Sequence, residues 1–284
     1  MKKRDQTAGA GGRAAAAIED ALKGAMAAIQ NRQPDAAERI AREVLARDAK
    51  HPGALHLFGV ALLAQGRARE ALAPLEQAVR GRADAVVETH LAIALRQLGQ
   101  GERALPVLER ATARQPPFPL AFHELGVLLF SLRRLAEAQA VLERGVEIAP
   151  AMPEMSVVLG GVFLDRLDRP NAKLAFARAL ACAPGHTGAL YGLGTVLMDD
   201  GDFAAAADRF RQALARDSGY AQARLSLGIC LLELGRWDEA IECLRAAVKA
   251  APQLHTKALQ TLVTAGRGRF WLKPSTAADM LRPK

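Results

Sequence analysis

Apolar and polar positions along the chain follow the period of an amphipathic helix. In residues 187–220, Leu190, Leu193 and Leu197 recur at steps of three and four residues, so they fall on one face of a helix. Gly201 then predicts a turn, because glycine tolerates the left-handed backbone that ends many helices. A second amphipathic segment follows the turn, so the sequence predicts two helices that pack against each other.

This two-helix pattern repeats with a period of 34 residues, and a glycine in the first helix marks its phase. The glycines are Gly59, Gly126, Gly160, Gly194 and Gly228; the last four are 34 residues apart, and Ala92 occupies the position missing from the 67-residue gap between the first two. An alanine follows each glycine by twelve residues, which predicts a close helix crossing such as that of Gly194 with Ala206. A unit of this size cannot bury its own apolar face and must stack on its neighbours.

The units resemble the tetratricopeptide repeat family. That family has a leucine-glycine pair in the first helix, small and large apolar residues in the second, and a closing proline. Prolines close four units, at Pro116, Pro150, Pro184 and Pro252. The resemblance implies an all-α fold: a right-handed superhelical solenoid of antiparallel helix pairs, with about seven repeats and a C-terminal capping helix.

The same pattern predicts how the chain is divided. We expect a flexible basic N-terminal tail over 1–17, a capping helix over 255–265 and a basic, aromatic C-terminal tail over 266–284. Leu262 takes the place of the phased glycine in the capping helix, where no following helix requires a close crossing. The seven predicted repeats are 18–51, 52–84, 85–118, 119–152, 153–186, 187–220 and 221–254.

Charge and cysteine content narrow the possible functions. The net charge is +8, of which residues 1–17 carry +3 and residues 265–284 carry +4, so the repeats are close to neutral. Nucleic acid is therefore a disfavoured partner, since duplex recognition needs a basic stripe on a folded face. The three cysteines form no CxxC pair, which disfavours a metal or redox motif. No segment is apolar enough to span a membrane, and no apolar signal-peptide core follows the basic start. We expect a cytoplasmic protein.

Motifs for catalysis or cofactor binding are missing from the sequence. There is no GxSxG, no HExxH and no phosphate-binding loop, so we expect no enzyme and no cofactor. His56, His90 and His123 come from three successive first helices. His90 is turned by about 100° from the phase of the other two, so we expect polar surface residues and no metal site.

The resemblance also implies a binding surface, because in this family the first helix of each unit lines a concave groove. Carried over position by position, the predicted groove contains His56, Val60, Leu63, Thr89, Ile93, Arg96, His123, Val127, Phe130, Val157, Leu164, Tyr191, Thr195, Met198, Leu225, Ile229 and Leu232. These positions hold no lysine or asparagine. The carboxylate clamp of chaperone-binding relatives and the asparagine ladder of glycosyltransferase-associated relatives are therefore both disfavoured.

Carboxylates recur instead at the next position along three successive first helices. Asp165, Asp199 and Glu233 would make the C-terminal half of the groove anionic, and chance is an open alternative. The expected function is a non-catalytic scaffold that binds a protein or peptide segment in the groove. A regulatory or targeting subunit of a glycosyl- or sulfo-transfer pathway, and a nucleic-acid-associated factor using the basic tails, are alternatives.

The C-terminal tail holds the densest aromatic cluster of the chain, at Phe270, Trp271 and Leu272. These side chains favour burial, either in cis on the last repeats or against a partner or membrane. Arg267, Arg269 and Lys273 could reach Asp199 and Glu233, which favours cis docking. Thr276 and Asp279 have the spacing of a capping box and predict a short helix through Arg282.

Overall fold

A computed structural model describes residues 4–264 and 274–282, and within these residues the chain is helical with no strand. The helices are α1 (Arg4–Gln30), α2 (Pro34–Leu45), α3 (Pro52–Ala64), α4 (Ala68–Gly81), α5 (Ala85–Gln97), α6 (Gly101–Ala113), α7 (Pro119–Ser131), α8 (Leu135–Ile148), α9 (Pro153–Asp165), α10 (Arg169–Cys182), α11 (Thr187–Asp199), α12 (Phe203–Arg216), α13 (Ala221–Glu233), α14 (Trp237–Ala250), α15 (His255–Thr264) and α16 (Pro274–Met280), with a short 3-10 helix at Pro252–Leu254 before α15. None of the helices described is both long and apolar enough to cross a membrane.

The chain divides into two compact units, an N-terminal unit (Met1–Arg133) and a C-terminal unit (Arg134–Lys284). In each unit, consecutive helices pack against each other, and every first helix also contacts the first helix of the next pair, as in α3 with α5 and α11 with α13. This is the contact pattern of stacked helix pairs, and it confirms the predicted fold class. The exact division into seven repeats stays a prediction.

The phased glycines lie where a large side chain of the second helix meets the first helix. A Cβ on Gly194 would lie 2.7 Å from Cε1 of Phe210, and a Cβ on Gly59 would lie 2.5 Å from Cγ of Leu75. The sequence prediction had assigned this close contact to the alanine twelve residues on. The nearest side chain of the second helix comes instead sixteen residues on, because its bulk fills the space that glycine leaves empty.

The turns between paired helices use left-handed backbone. Gly66, Gly99, Gly201 and Gly235 all have positive φ. In the first pair a residue other than glycine has this conformation, Arg32 with φ of 56°. Leu167 also has φ of 60°, a conformation that costs most residues about 1–2 kcal/mol.

The N-terminal segment differs from the prediction of a flexible tail over 1–17. Helix α1 begins at Arg4, well before the predicted first repeat. The expectation rested on the glycines at 9, 11 and 12. The alanines at 14–17 have the highest helix propensity of any residue, and they continue into a helix that packs on α2 and α3.

The C-terminal end differs from the prediction in two respects. Helix α16 begins at Pro274, so Thr276 lies inside the helix and does not cap it. Proline favours the first helical position because its missing N–H needs no partner there. Helix α16 also packs on α15, so Leu262, which is 2% exposed, belongs to a helix that does have a following partner.

Candidate binding surface on the first helices

The predicted groove positions are mostly half-buried, so their side chains are only partly used in packing. We call the set in the N-terminal unit the N-terminal face: His56, Val60, Leu63, Ile93, Arg96, His123, Val127 and Phe130. The corresponding set in the C-terminal unit is the C-terminal face: Val157, Leu164, Tyr191, Thr195, Met198 and Ile229, with the carboxylates Asp165, Asp199 and Glu233 at the ends of its helices.

Three predicted groove residues are core residues, which corrects the prediction for them. Thr89 and Leu225 are fully buried and Leu232 is 1% exposed. The Thr89 hydroxyl donates to the carbonyl of Ala85 at 2.5 Å, so its polar group is satisfied within α5. Leu225 and Leu232 lie on α13, which is contacted by α15 as well as by α11, α12 and α14 and has little free surface.

His56 of the N-terminal face pairs with His90, which lies on the adjacent first helix. His56 Nε2 lies 3.1 Å from His90 Nδ1, and the ring centroids are 5.0 Å apart. His90 Nδ1 is also 2.8 Å from the carbonyl oxygen of Val86. A carbonyl only accepts, so His90 carries its proton on Nδ1, and His56 Nε2 accepts from the same nitrogen. Sequence reasoning had put the two rings at different phases and did not foresee this contact.

Burial keeps both rings of this pair neutral. Burial, with a smaller contribution from the neighbouring His90, lowers the pKa of His56 to about 4. Burial also lowers the pKa of His90. Among the described residues, no three histidine, cysteine or acidic side chains are grouped closely enough to hold a metal ion. The pair therefore acts as a neutral hydrogen-bonded contact between α3 and α5.

A second polar group on this face centres on Glu124, which is 6% exposed. Arg96 donates to Glu124 Oε2 through Nε at 3.0 Å and Nη2 at 2.9 Å, joining α5 to α7. His123 Nδ1 lies 3.4 Å from the other carboxylate oxygen. Burial alone would raise the pKa of Glu124, but the contacts with His123 and Arg96 outweigh it and leave the pKa below its ordinary value. Arg96 and Glu124 thus satisfy each other, whereas His123 Nδ1 is buried and contacts the carboxylate without a hydrogen bond of good geometry.

Sequence reasoning missed the buried glutamates that join one helix to another, Glu88 within a pair and Glu38 between pairs. Glu88 is 1% exposed and accepts from Arg114 Nε at 2.6 Å, Arg114 Nη2 at 3.0 Å and Arg110 Nε at 3.3 Å. Glu38 accepts from Arg67 in the same way, at 2.9 Å. A glutamate among the apolar residues of a packed helix is the signal that could have identified them, since a buried carboxylate requires a partner.

Tyr191 anchors the C-terminal face but is not free to leave it. Its ring centroid lies 5.7 Å from that of Phe210 and 5.0 Å from that of Tyr220, so it packs between α12 and the start of α13. Burial raises the pKa of Tyr220 to about 12, which keeps this phenol neutral. Tyr191 therefore supplies one rigid aromatic wall and holds its neighbours in place.

The C-terminal face also contains four apolar side chains that are not aromatic. Val157, Leu164, Met198 and Ile229 are half-buried on three successive first helices. The helices α9, α11 and α13 end at Asp165, Asp199 and Glu233, respectively, the first two exposed and the third half-buried. The partial negative charge of a helix C-terminus adds to that of each carboxylate.

The aromatic part of the predicted tail site, Phe270, Trp271 and Leu272, lies outside the described residues, as do Arg267, Arg269 and Lys273. The described part of the tail, residues 274–282, packs on α15 and accepts a hydrogen bond from Arg245 of α14.

Structural comparison places the chain among stacked-helix proteins. A chain of the APC/C hetero-tetramer Cut9-Hcn1 has a TM-score of 0.72 at 16% identity, with 90% of this chain and 47% of that chain covered. Human IFIT1, in a dimer with m7Gppp-AAAA, has a TM-score of 0.68 at 15% identity, covering 87% and 63%. YrrB, described as a TPR protein with an unusual peptide-binding site, has a TM-score of 0.51 at 22% identity, covering 64% and 97%.

At these identities the likeness concerns the fold alone, and the chain spans about half the length of the first of these structures and less than two thirds of the second. No curated protein matches the sequence. The sequence profile of the tetratricopeptide repeat matches residues 22–86, 90–153 and 191–255, most of the chain. Together with the stacked helix pairs, this match shows that the chain belongs to the tetratricopeptide repeat family.

Proposed function

We propose that the chain is a non-catalytic scaffold that binds a segment of a partner protein on the C-terminal face. The observation that carries this proposal is the row of half-buried apolar side chains at Val157, Leu164, Met198 and Ile229, which lie on three successive first helices. Tetratricopeptide repeats are typically interaction scaffolds. Burying such side chains under a partner would contribute about 25 cal/mol for each Å² of apolar surface removed from water.

The N-terminal face supports the proposal less well. His56 bonds to His90 of the next first helix, and Arg96 is bound to Glu124, so a partner would have to replace contacts that already exist. Breaking a buried pair leaves an unsatisfied group and costs free energy. The C-terminal face has its carboxylates at the ends of its helices, and the hydroxyl of Thr195 already donates to the carbonyl of Tyr191 at 3.0 Å.

The carboxylates define the chemistry of the partner segment. Asp165, Asp199 and Glu233 stand at helix C-termini, where negative charge is already concentrated. Arg169 uses part of this charge, since it donates to the carbonyl of Asp199 at 2.8 Å and lies 3.5 Å from Asp200. A segment that combines apolar residues with lysine or arginine fits this face best.

The cysteines support a proposal about the compartment in which the protein acts. Cys182, Cys230 and Cys243 are free thiols. We place the scaffold in a reducing compartment such as the cytoplasm, where these thiols persist. Neither a role in glycosyl or sulfo transfer nor nucleic-acid binding is favoured by a specific observation on the described residues.

The binding proposal can be tested with peptides selected on the intact chain from a random display library. Met198→Ala should weaken the selected peptides at least about fivefold, because truncating an apolar contact at an interface centre costs about 1 kcal/mol or more. The measurement is fluorescence anisotropy titration at low and high salt. Affinity should fall with salt if lysine or arginine of the peptide faces the carboxylates.

Leu174→Ala is the matched control, since Leu174 is an apolar residue of the same unit that is 68% exposed on the second helix α10. It should leave affinity unchanged. Weakened binding by Leu174→Ala with no effect of Met198→Ala would move the binding surface to the second helices and refute the proposal. Equal thermal unfolding of the two variants excludes a loss of folding as the cause.

A further inference from the structure

The last two helices resemble an incomplete helix pair. Helix α15 contacts α13 and α14, as each first helix contacts the pair before it, and α16 then packs on α15 in the place of a second helix. The second helix α14 has 14 residues, whereas α16 has only seven. Helix α16 therefore covers α15 much as a second helix would, but over half the length.

The contacts of α16 define one buried side. Ala277 is fully buried and Leu281, four residues later, is 3% exposed. Arg245 of α14 donates through Nε to the carbonyl of Met280, near the end of α16. The opposite side is solvated, because Asp279 and Arg282 form an exposed ion pair at 3.3 Å.

Helix α16 is weakly docked, because it is short and buries few side chains. A helix of seven residues does not form alone in water, because fixing the backbone of the first turn costs more free energy than its hydrogen bond provides. The helix therefore exists only while it is docked, and within residues 275–282 only Ala277 and Leu281 are buried, with one hydrogen bond donated by Arg245. Segments with so few buried contacts open locally far more often than the core does.

We infer that α14 and α15 form a docking surface for a short amphipathic helix, that α16 occupies it in cis, and that a partner helix displaces α16. The occupant defines the partner: a helix with a small residue and a leucine four residues later, and a free carbonyl at its C-terminal end for Arg245. The covering helix is part of the same chain, so it competes at a high effective concentration. The partner must therefore offer a longer or better-packed helix than α16. This surface is separate from the C-terminal face, and the inference does not depend on the proposed function.

The test uses a fluorescent synthetic peptide of residues 274–282 and the full-length chain. Leu281→Asp in the chain should release α16, because a carboxylate cannot be buried there without a partner. The peptide should then bind the Leu281→Asp chain at least about tenfold more tightly than the intact chain, in which the tethered helix competes. Anisotropy titration measures both affinities.

Two controls complete this experiment. Asp279→Asn in the chain changes only the exposed side of α16 and should preserve the weak binding of the intact chain. A peptide that carries Leu281→Asp should not bind either chain. Equal affinity of the unmodified peptide for the intact and Leu281→Asp chains, or no binding to either at millimolar concentration, would overturn the inference.

Hydrogen exchange on the intact chain supplies a measurement that requires no variant. Amides of α16 should exchange at least about tenfold faster than those of α14, and excess unlabelled peptide should accelerate them further as it displaces the helix. Exchange of α16 as slow as that of α14, unaffected by the peptide, would show a permanent part of the fold and contradict displacement.

Discussion

At the residue scale, single positions decide how closely two helices approach. Gly194 has no Cβ, and the fully buried ring of Phe210 occupies the space that a Cβ would require. Glycine within a helix costs about 1 kcal/mol relative to alanine, so at this position the packing of the ring must return more than that. Exposed helical glycines have no such compensation.

Gly194→Ala should therefore destabilise the protein by up to about 2 kcal/mol, because a Cβ 2.7 Å from a buried ring forces one helix to move at a cost of about 1–3 kcal/mol, which exceeds the gain of about 1 kcal/mol in helix propensity. The same change at Gly24, which is exposed and has no neighbouring atom closer than 3.9 Å, should stabilise by up to about 1 kcal/mol. Urea unfolding measures both. Stabilisation by Gly194→Ala would show that Phe210 is not tightly held.

Substitutions by asparagine at Leu167 and at Leu174 should have opposite effects on the free energy of unfolding. Leu167 is 87% exposed and has positive φ, so Leu167→Asn should raise the free energy of unfolding by several tenths to about 1 kcal/mol, since asparagine tolerates this conformation. Leu174→Asn, at an exposed position within helix α10, should lower it by about 0.5 kcal/mol. Thermal unfolding gives the sign of each change. A loss of stability in Leu167→Asn would mean that its side chain makes a contact worth more than the strain.

At the element scale, helices α3 and α5 are joined by a contact that depends on protonation. The pKa of His56 is lowered from 6.5 to about 4 in the folded chain, so the unfolded chain binds a proton more readily. The free energy of unfolding should fall as the pH falls from about 6.5 to 4, by up to roughly 3 kcal/mol, and this contribution is lost below about pH 4.

His56→Gln should flatten the pH dependence within this window, as followed by urea unfolding at a series of pH values. His255→Gln is the control, because His255 is exposed in α15 and makes no packed contact of this kind. Both variants should share the steeper loss below pH 4.5 that comes from buried carboxylates such as Glu88 and Glu124, whose pKa values are lowered. A His56→Gln curve parallel to that of the control would contradict the assignment.

The helix pairs could be predicted because the signal for them repeats. A glycine at one phase recurs in five first helices and a turn glycine follows four first helices, so an exception such as Ala92 does not obscure the pattern. The His56–His90 contact could not be predicted, because side-chain rotation compensates a difference in helix phase. The start of α1 and the place of α16 were also missed, since neither segment follows the repeat. Burial of Leu225 and Leu232 depends on α15, a helix whose packing the repeat does not determine.

At the scale of the whole chain, the main helix contacts among the described residues join helices that are adjacent or next-but-one in sequence. Stability in such a chain is approximately a sum over neighbouring pairs. Gly194→Ala should therefore increase hydrogen exchange in α11 and α12 more than in α3 and α4, which are four pairs away. A uniform increase along the chain would instead indicate that the two units unfold as one cooperative body.

The ring of Phe176 has a consequence for how such a chain can be rearranged. It lies in α10, and the Cβ positions of Gly160 in α9 and Gly192 in α11 would each fall within 2.7 Å of it. The ring of Phe176 therefore packs against a glycine of its own helix pair and against a glycine of the following pair. A repeat transplanted or duplicated by recombination at this point must bring the following glycine with it, so the smallest portable module here is one pair together with the first helix of its successor.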